Sequence, residues 1–243
     1  MEFGKYIAHR GLHGDGIPEN SYPAFRRAID KGIPIELDVR LSKDCRMMVF
    51  HDRYMKRMCG VPGQIYDYTY EQLSRLTLAD TDEHIPLFTD VLKFVNGRVP
   101  LLIELKRGSP IWLLEKRVYH VLKDYKGEFA VQSFDPRSMM FFRLKAPHIY
   151  RGILITIADE GTPFERASSR LGVQPFMWEP FSKPDFVSCD IRCLTQKRLN
   201  KVREMGADLF IWVARTDEER AYAARYAKTI IGECYPEDFD FTK

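Results

Sequence analysis

Short apolar runs recur along the whole chain and alternate with segments whose apolar residues repeat at helical spacing. The runs predict strands over Tyr6 to Arg10, Pro34 to Arg40, Val99 to Lys106, Phe129 to Phe134, Ile149 to Leu154, Asp185 to Asp190, Asp208 to Ala214 and Thr229 to Gly232. The segments between them predict helices over Pro23 to Lys31, Leu87 to Val95, Pro110 to Tyr125, Pro136 to Leu144, Thr195 to Met205 and Asp217 to Tyr226. Asn20 and Ser21 stand before Pro23, and Asp135 before Pro136, as capping side chains stand before a proline of the first turn. Strands that alternate with helices imply an α/β fold with parallel strands. Eight of them predict a (β/α)8 TIM barrel, although an open doubly wound sheet shares the alternation.

The rhythm breaks between His51 and Pro86, where Gly60, Pro62 and Gly63 accompany Tyr54, Tyr66, Tyr68 and Tyr70. We read residues 52–86 as a small insertion after the second strand, forming a lip beside the barrel mouth. Its tyrosines either line a substrate entrance or pack locally. A length of 243 residues otherwise leaves room for one domain, since single cores stop growing near roughly 250 residues.

Composition narrows the partners. With 45% hydrophobic and 29% charged residues the chain has ample material for a core. The net charge is only +3 and the basic residues are scattered, which argues against a nucleic-acid partner and leaves small anionic substrates open. No apolar stretch approaches the roughly 18 residues that span a bilayer, and Met1 to Lys5 lead directly into the first strand. The expectation is a soluble cytoplasmic protein without stable membrane insertion, and a homodimer stays open. Five cysteines, Cys45, Cys59, Cys189, Cys193 and Cys234, without paired knuckles read as reduced thiols, not as a disulfide framework or a zinc site.

Chemistry concentrates at the strands. In Ile35-Glu36-Leu37-Asp38-Val39 the alternation puts three apolar side chains on one face and both carboxylates on the other. Leu101-Leu102-Ile103-Glu104-Leu105-Lys106 repeats the pattern with Glu104 and Lys106. Inward acids on a core strand are costly unless cations or a metal compensate. Both charged pairs fall late in their predicted strands, where barrels of this kind carry their active sites. Glu36, Asp38 and Glu104 would offer hard oxygen ligands suited to one divalent ion, Mg2+ or Ca2+. His9 and Arg10 end the first strand, and His51 follows Met47-Met48-Val49-Phe50. The set has parts for acid-base work on a phosphate ester.

The runs His9-Arg10-Gly11, Pro18-Glu19-Asn20-Ser21, Glu36-Leu37-Asp38-Val39, His51-Asp52 and Ile103-Glu104-Leu105-Lys106 resemble, in order, the motifs of the glycerophosphodiester phosphodiesterase family. The resemblance continues weakly through Gln132-Ser133-Phe134-Asp135 and Gly206-Ala207-Asp208 to the strand of Trp212. It implies a metal-dependent hydrolase that converts small glycerophosphodiesters to glycerol 3-phosphate and an alcohol. His9 and His51 would be general acid and base, and Glu36, Asp38 and Glu104 would hold the metal with support from Glu19. Arg10 and Lys106 would bind phosphate. Trp212 would be either an apolar wall for glycerol or an ordinary core tryptophan.

The chain departs from the family at Ile211-Trp212-Val213-Ala214-Arg215, where Trp-Thr-Val-Asn is common, and at Ile231-Gly232-Glu233-Cys234-Tyr235-Pro236, where Ile-Thr-Asp-x-Pro is common. Both changes bear on substrate preference more than on reaction type. Rival readings are a phospholipase D-like activity on lysophospholipids, marked by exposed apolar surface on the insertion, and a non-catalytic binder of phosphorylated metabolites. His13 reads as a solvent-facing loop residue, and His84, His120 and His148 as structural or surface residues.

Overall fold

The computed structural model of the protein describes residues 2–156, 179–233 and 235. The chain forms two compact units, Ala8–Phe129 and Met1–Ile7 with Ala130–Lys243. Cys234 and Pro236 of the C-terminal motif lie outside the described residues.

In the unit Ala8–Phe129 the central strand is β2 (Ile35–Leu41), seven residues long. It runs parallel to β1 (Tyr6–Ala8) through Ala8 and Ile35, and to β4 (Leu101–Leu105) from Ile35 opposite Leu101 to Val39 opposite Leu105. β3 (Met47–Val49) pairs antiparallel with the far end of β2. Ile35, Leu37, Val39 and Glu36, Asp38 are all buried, so this strand is covered on both faces as a parallel sheet requires. α1 (Tyr22–Asp30) starts where Ser21 Oγ accepts from the Ala24 amide and Pro23 occupies the first turn.

The segment after β3 has a small core of its own. Met48, Phe50, Met55, Met58, Ile65, Leu73, Leu78 and Ile85 form one buried cluster. Tyr68 and Tyr70 pack against it, whereas Tyr54 is exposed. Only two single-turn helices, Lys56–Cys59 and Tyr70–Leu73, and one 3-10 turn at Ile65–Asp67 form there. Helices this short are marginal alone, so the apolar cluster is what orders the segment.

In the other unit β5 (Phe129–Ser133), β6 (Arg151–Ile155), β7 (Phe186–Asp190), β8 (Asp208–Ala214) and β9 (Thr229–Gly232) pair parallel in chain order. The Ile230 amide donates to the Lys5 carbonyl, which sets β9 beside β1. Gly152 makes room in β6: a Cβ there would lie 2.1 Å from the Phe186 ring. That ring stacks on Tyr150 and Phe210, at 5.1 and 4.4 Å between centroids.

The strand order is β1-β9-β8-β7-β6-β5-β4-β2-β3, with β1 also paired to β2. Eight parallel strands in this cyclic order, with helices between them, are the (β/α)8 TIM barrel fold. β3, formed by the apolar run before His51, is a ninth strand that the eight predicted ones do not include. Its pairing carries β2 to Leu41, so Glu36 and Asp38 sit early and midway in that strand and not late as expected. β1 ends at Ala8, leaving His9 and Arg10 in the turn that follows, and Lys106 lies one residue past β4. Predicted helices Pro110 to Tyr125 and Asp217 to Tyr226 shorten to Leu113–Leu122 and Asp217–Ala224. Among the described residues no helix is long and apolar enough to cross a membrane.

Candidate active site

The turn after β1 is built on unusual backbone. Arg10 adopts φ 55° and Gly11 φ 80°. A Cβ at Gly11 would meet the Ala24 carbonyl carbon at 2.9 Å, so only glycine lets the turn lie against α1. Arg10 in the left-handed region costs about 1–3 kcal/mol. The fold holds it there with two bonds: the Asn20 amide donates to the Arg10 carbonyl at 3.0 Å, and the Arg10 amide donates to Glu36 Oε2 at 3.0 Å.

Glu36, Asp38 and Glu104 converge because β2 and β4 are in register, with Asp38 opposite Glu104. Each is at least 96% buried, and ligand atoms of all three lie within 4.8 Å of one another. Lys106 Nζ sits 2.9 Å from Asp38 Oδ1 and 2.6 Å from Glu104 Oε1. Arg10 Nε stands 3.4 Å from Asp38 Oδ2, and its Nη1 donates to Glu19 Oε1 at 2.9 Å.

The electrostatics split the trio. Burial, then the charges of Asp38 and Glu104, push the Glu36 carboxyl well above the usual range. Burial acts on Asp38 in the same sense, but Lys106, His51 and Arg10 overcome it and hold that carboxyl well below its usual range. Lys106 keeps its proton tightly: burial opposes the charge, and Asp38 and Glu104 outweigh it.

His51 follows β3, half-buried, with Nδ1 2.8 Å from Asp52 Oδ1. Arg57, on the Lys56–Cys59 turn, ties this pair to the first turn of the unit. Its Nε and Nη2 donate to Asp52 at 2.6 and 2.8 Å, and its Nη1 and Nη2 donate to Glu19 at 3.1 and 2.7 Å. His9 is buried directly after β1. His9, Arg10, Glu19, Glu36, Asp38, His51, Glu104 and Lys106 thus all belong to the unit Ala8–Phe129.

Trp212 belongs to the other unit. There it is half-buried, its Nε1 donates to the Ser188 carbonyl at 3.0 Å, and its ring meets Phe134 edge-on. His13 is half-buried instead of solvent-facing, His84 bonds the Leu76 carbonyl from Nδ1 at 2.8 Å, and His120 and His148 are exposed. Cys45 and Cys59 are half-buried and Cys189 and Cys193 buried, and burial, then the neighbouring Cys193, pushes the Cys189 thiol up to about 12.

Three residues here escaped the sequence reading as site members. Asn20, read only as a helix-start residue, bonds Asp38. Arg40, the next inward position of β2 after Asp38, donates from Nε to the His51 carbonyl at 2.9 Å and from Nη1 to the Arg107 carbonyl at 2.8 Å. The alternation that exposed Glu36 and Asp38 extends to it. Arg57 carried no sequence signal, because its role depends on how the inserted segment folds back on Glu19.

Residues 9–231 match the model of the glycerophosphoryl diester phosphodiesterase family. The chain belongs to that family. A glycerophosphodiester phosphodiesterase of Bacillus altitudinis is 34% identical over 162 residues, 62% of this chain and 66% of that protein, just under two thirds of its length. The YhdW protein of Bacillus subtilis (strain 168) is 32% identical over 225 residues, 88% of either chain. The structure of a phosphodiesterase of Oleispira antarctica in complex with the product sn-glycerol-3-phosphate matches with a TM-score of 0.78 at 19% identity, covering 95% of this chain and 93% of that one. At that identity the likeness is one of fold.

Proposed function

We propose that the protein hydrolyses glycerophosphodiesters to glycerol 3-phosphate and an alcohol, as a single (β/α)8 domain with an insertion at residues 52–86. The observation that carries the reading is the buried trio Glu36, Asp38 and Glu104 beside two cations. Three converging carboxylates, one of them pushed up by burial and then by the charges of the others, fit a hard divalent ion, Mg2+ or Ca2+. When bound, such an ion would supply Lewis-acid polarisation of the phosphoryl group.

The chain's own groups divide the remaining work. Arg10 and Lys106 meet phosphoryl oxygens, and their charge opposes the negative charge that builds in the transition state. A neutral His51 that donates from Nδ1 to Asp52 presents Nε2 as its basic nitrogen. One histidine of the pair His9 and His51 takes the proton of the attacking oxygen, and the other returns a proton to the leaving alcohol as the P–O bond breaks. The attacking oxygen is that of water, or that of the adjacent glycerol hydroxyl with water opening the cyclic phosphate. Glu19 holds Arg10 in place. The small-diester reading is favoured over lysophospholipids because Met55 and Met58 of the insertion turn into its own cluster, leaving Tyr54 as its exposed large apolar side chain among the described residues.

The test is release of glycerol 3-phosphate from glycerophosphocholine and glycerophosphoethanolamine with Mg2+, with Ca2+ and with EDTA, beside His9→Ala and Glu36→Ala. Metal-dependent release that both variants lose is expected. Cleavage of lysophospholipid alone would move the function to the lipid class, and binding without turnover would make the protein a binder.

A further inference from the structure

The inward face of β2 continues past the carboxylates. Asp38 and Arg40 are two residues apart on one strand, so their side chains point the same way about 7 Å apart. Arg40 opens on a cavity of about 250 Å3 between the ends of β2 and β4 and the insertion. Its lining carries Arg40, Lys43, Lys106 and Arg107, with Tyr66 from the insertion, and none of its lining residues is acidic. Lys106 also contacts Asp38 and Glu104, so the cavity and the carboxylate trio share a wall.

Lys106 is balanced by Asp38 and Glu104, whereas the half-buried Arg40 guanidinium loses hydration. Arg40 donates to the carbonyls of His51 and Arg107, and among the described residues no carboxylate lies within ion-pair reach of it. Lys43, exposed at the rim, has no ion-pair partner among the described residues either. What this space lacks is an anion.

We propose that the cavity is the head-group subsite of the diester site, and that it selects an alcohol arm bearing its own negative charge, a carboxylate or a phosphomonoester. The proposal rests on the hydrolysis reading above. With the diester phosphate at the carboxylate trio, the arm that follows β2 toward Arg40 has the span of a three-carbon head group. A carboxylate or phosphate there meets the planar fork of Arg40 and the point charge of Lys43. A trimethylammonium group meets like charge instead.

The experiment measures kcat/KM at low salt for glycerophosphoserine, glycerophosphoinositol 4-phosphate, glycerophosphoethanolamine and glycerophosphocholine, in the native protein and in Lys43→Glu and Lys43→Gln. The native protein is expected to prefer at least one anionic arm to choline by about tenfold, the preference falling with salt. Lys43→Glu is expected to cut that ratio by about fivefold, with Lys43→Gln intermediate. The serine and inositol phosphate arms tell carboxylate from phosphate. Equal rates for all arms, a choline preference, or a ratio untouched by Lys43→Glu would overturn the subsite while leaving hydrolysis intact. If no diester is cleaved with either metal, the hydrolysis reading has failed, and calorimetric binding of glycerophosphoserine against glycerophosphocholine decides the cavity. A serine preference lost in Lys43→Glu sustains it, and equal binding ends it.

Discussion

Asn20 and Asp38 are joined twice: Asn20 Nδ2 donates to Asp38 Oδ2 at 2.9 Å, and the Asp38 amide donates to Asn20 Oδ1 at 3.4 Å. Both residues are buried, and Asn20 takes φ 55° to reach across. The amide thereby fixes both the strand and the carboxylate that follows from it, as an outer partner orients a metal ligand.

Asn20→Ala removes both bonds and leaves Asp38 short of a donor. We expect a loss of about 1–3 kcal/mol in stability and a fall of about 10- to 100-fold in Mg2+ or Ca2+ affinity. Urea unfolding and calorimetric titration measure the two. Unchanged metal affinity would mean that Asn20 serves the turn alone.

Arg57 bridges Asp52 and Glu19 from a half-exposed position, so its worth is positional. Arg57→Ala is expected to lower kcat/KM about tenfold through a mis-set His51, with little change in melting temperature. Arg57→Lys, which keeps charge but not the fork, is expected to recover only part. Equal loss of kcat in the Lys and Ala variants would argue for geometry over charge.

The hydroxyl of Tyr150 donates to Asp208, and Lys228 Nζ lies 2.5 Å from the same carboxylate. Burial would raise Asp208, but Lys228 and Tyr150 outweigh it and lower its pKa. A carboxyl depressed in the folded state stabilises above its unfolded pKa and loses that contribution as pH falls through the folded one. Tyr150 is raised by burial and by Asp208, so its contribution is present below its unfolded pKa and disappears at alkaline pH. Asp208→Asn is thus expected to be less stable than the native chain near neutrality and to converge with it toward about pH 3. Thermal unfolding across pH reads the difference, and a constant gap would sink the linkage.

Divalent ion at about 100 times its dissociation constant should stabilise the protein by about 2.7 kcal/mol. That corresponds to a rise of roughly 5–10 °C in melting temperature for a chain of this size. EDTA should reverse the rise, and Glu104→Gln should shrink it. A melting temperature indifferent to Mg2+, Ca2+ and EDTA would remove the carboxylate trio as a metal site.

Gly11→Ala tests the first turn. The new Cβ strains a φ of 80° and meets Ala24 backbone at 2.9 Å. About 2 kcal/mol of destabilisation and a matching loss of activity are expected, because Arg10 leaves Glu36. Full activity in a folded Gly11→Ala protein would show that the turn tolerates another path.

Local pattern sufficed for much of this. The alternation in Ile35 to Val39 and Leu101 to Lys106 determined which side chains face inward, because strand periodicity is a property of neighbours in sequence. The capping oxygens of Ser21 and Asp135 likewise act within three residues of their own position. The family resemblance was legible because its motifs are short and ordered. Tertiary structure alone decided the rest. Pairing with β3 set where β2 ends, the β2–β4 register brought Asp38 opposite Glu104, and the cluster around Phe50 and Met58 folded Arg57 back onto Glu19. The β2–β4 register and the Arg57–Glu19 contact join residues tens of positions apart, and the free energy that selects them is the burial of apolar surface they share, which no single segment carries.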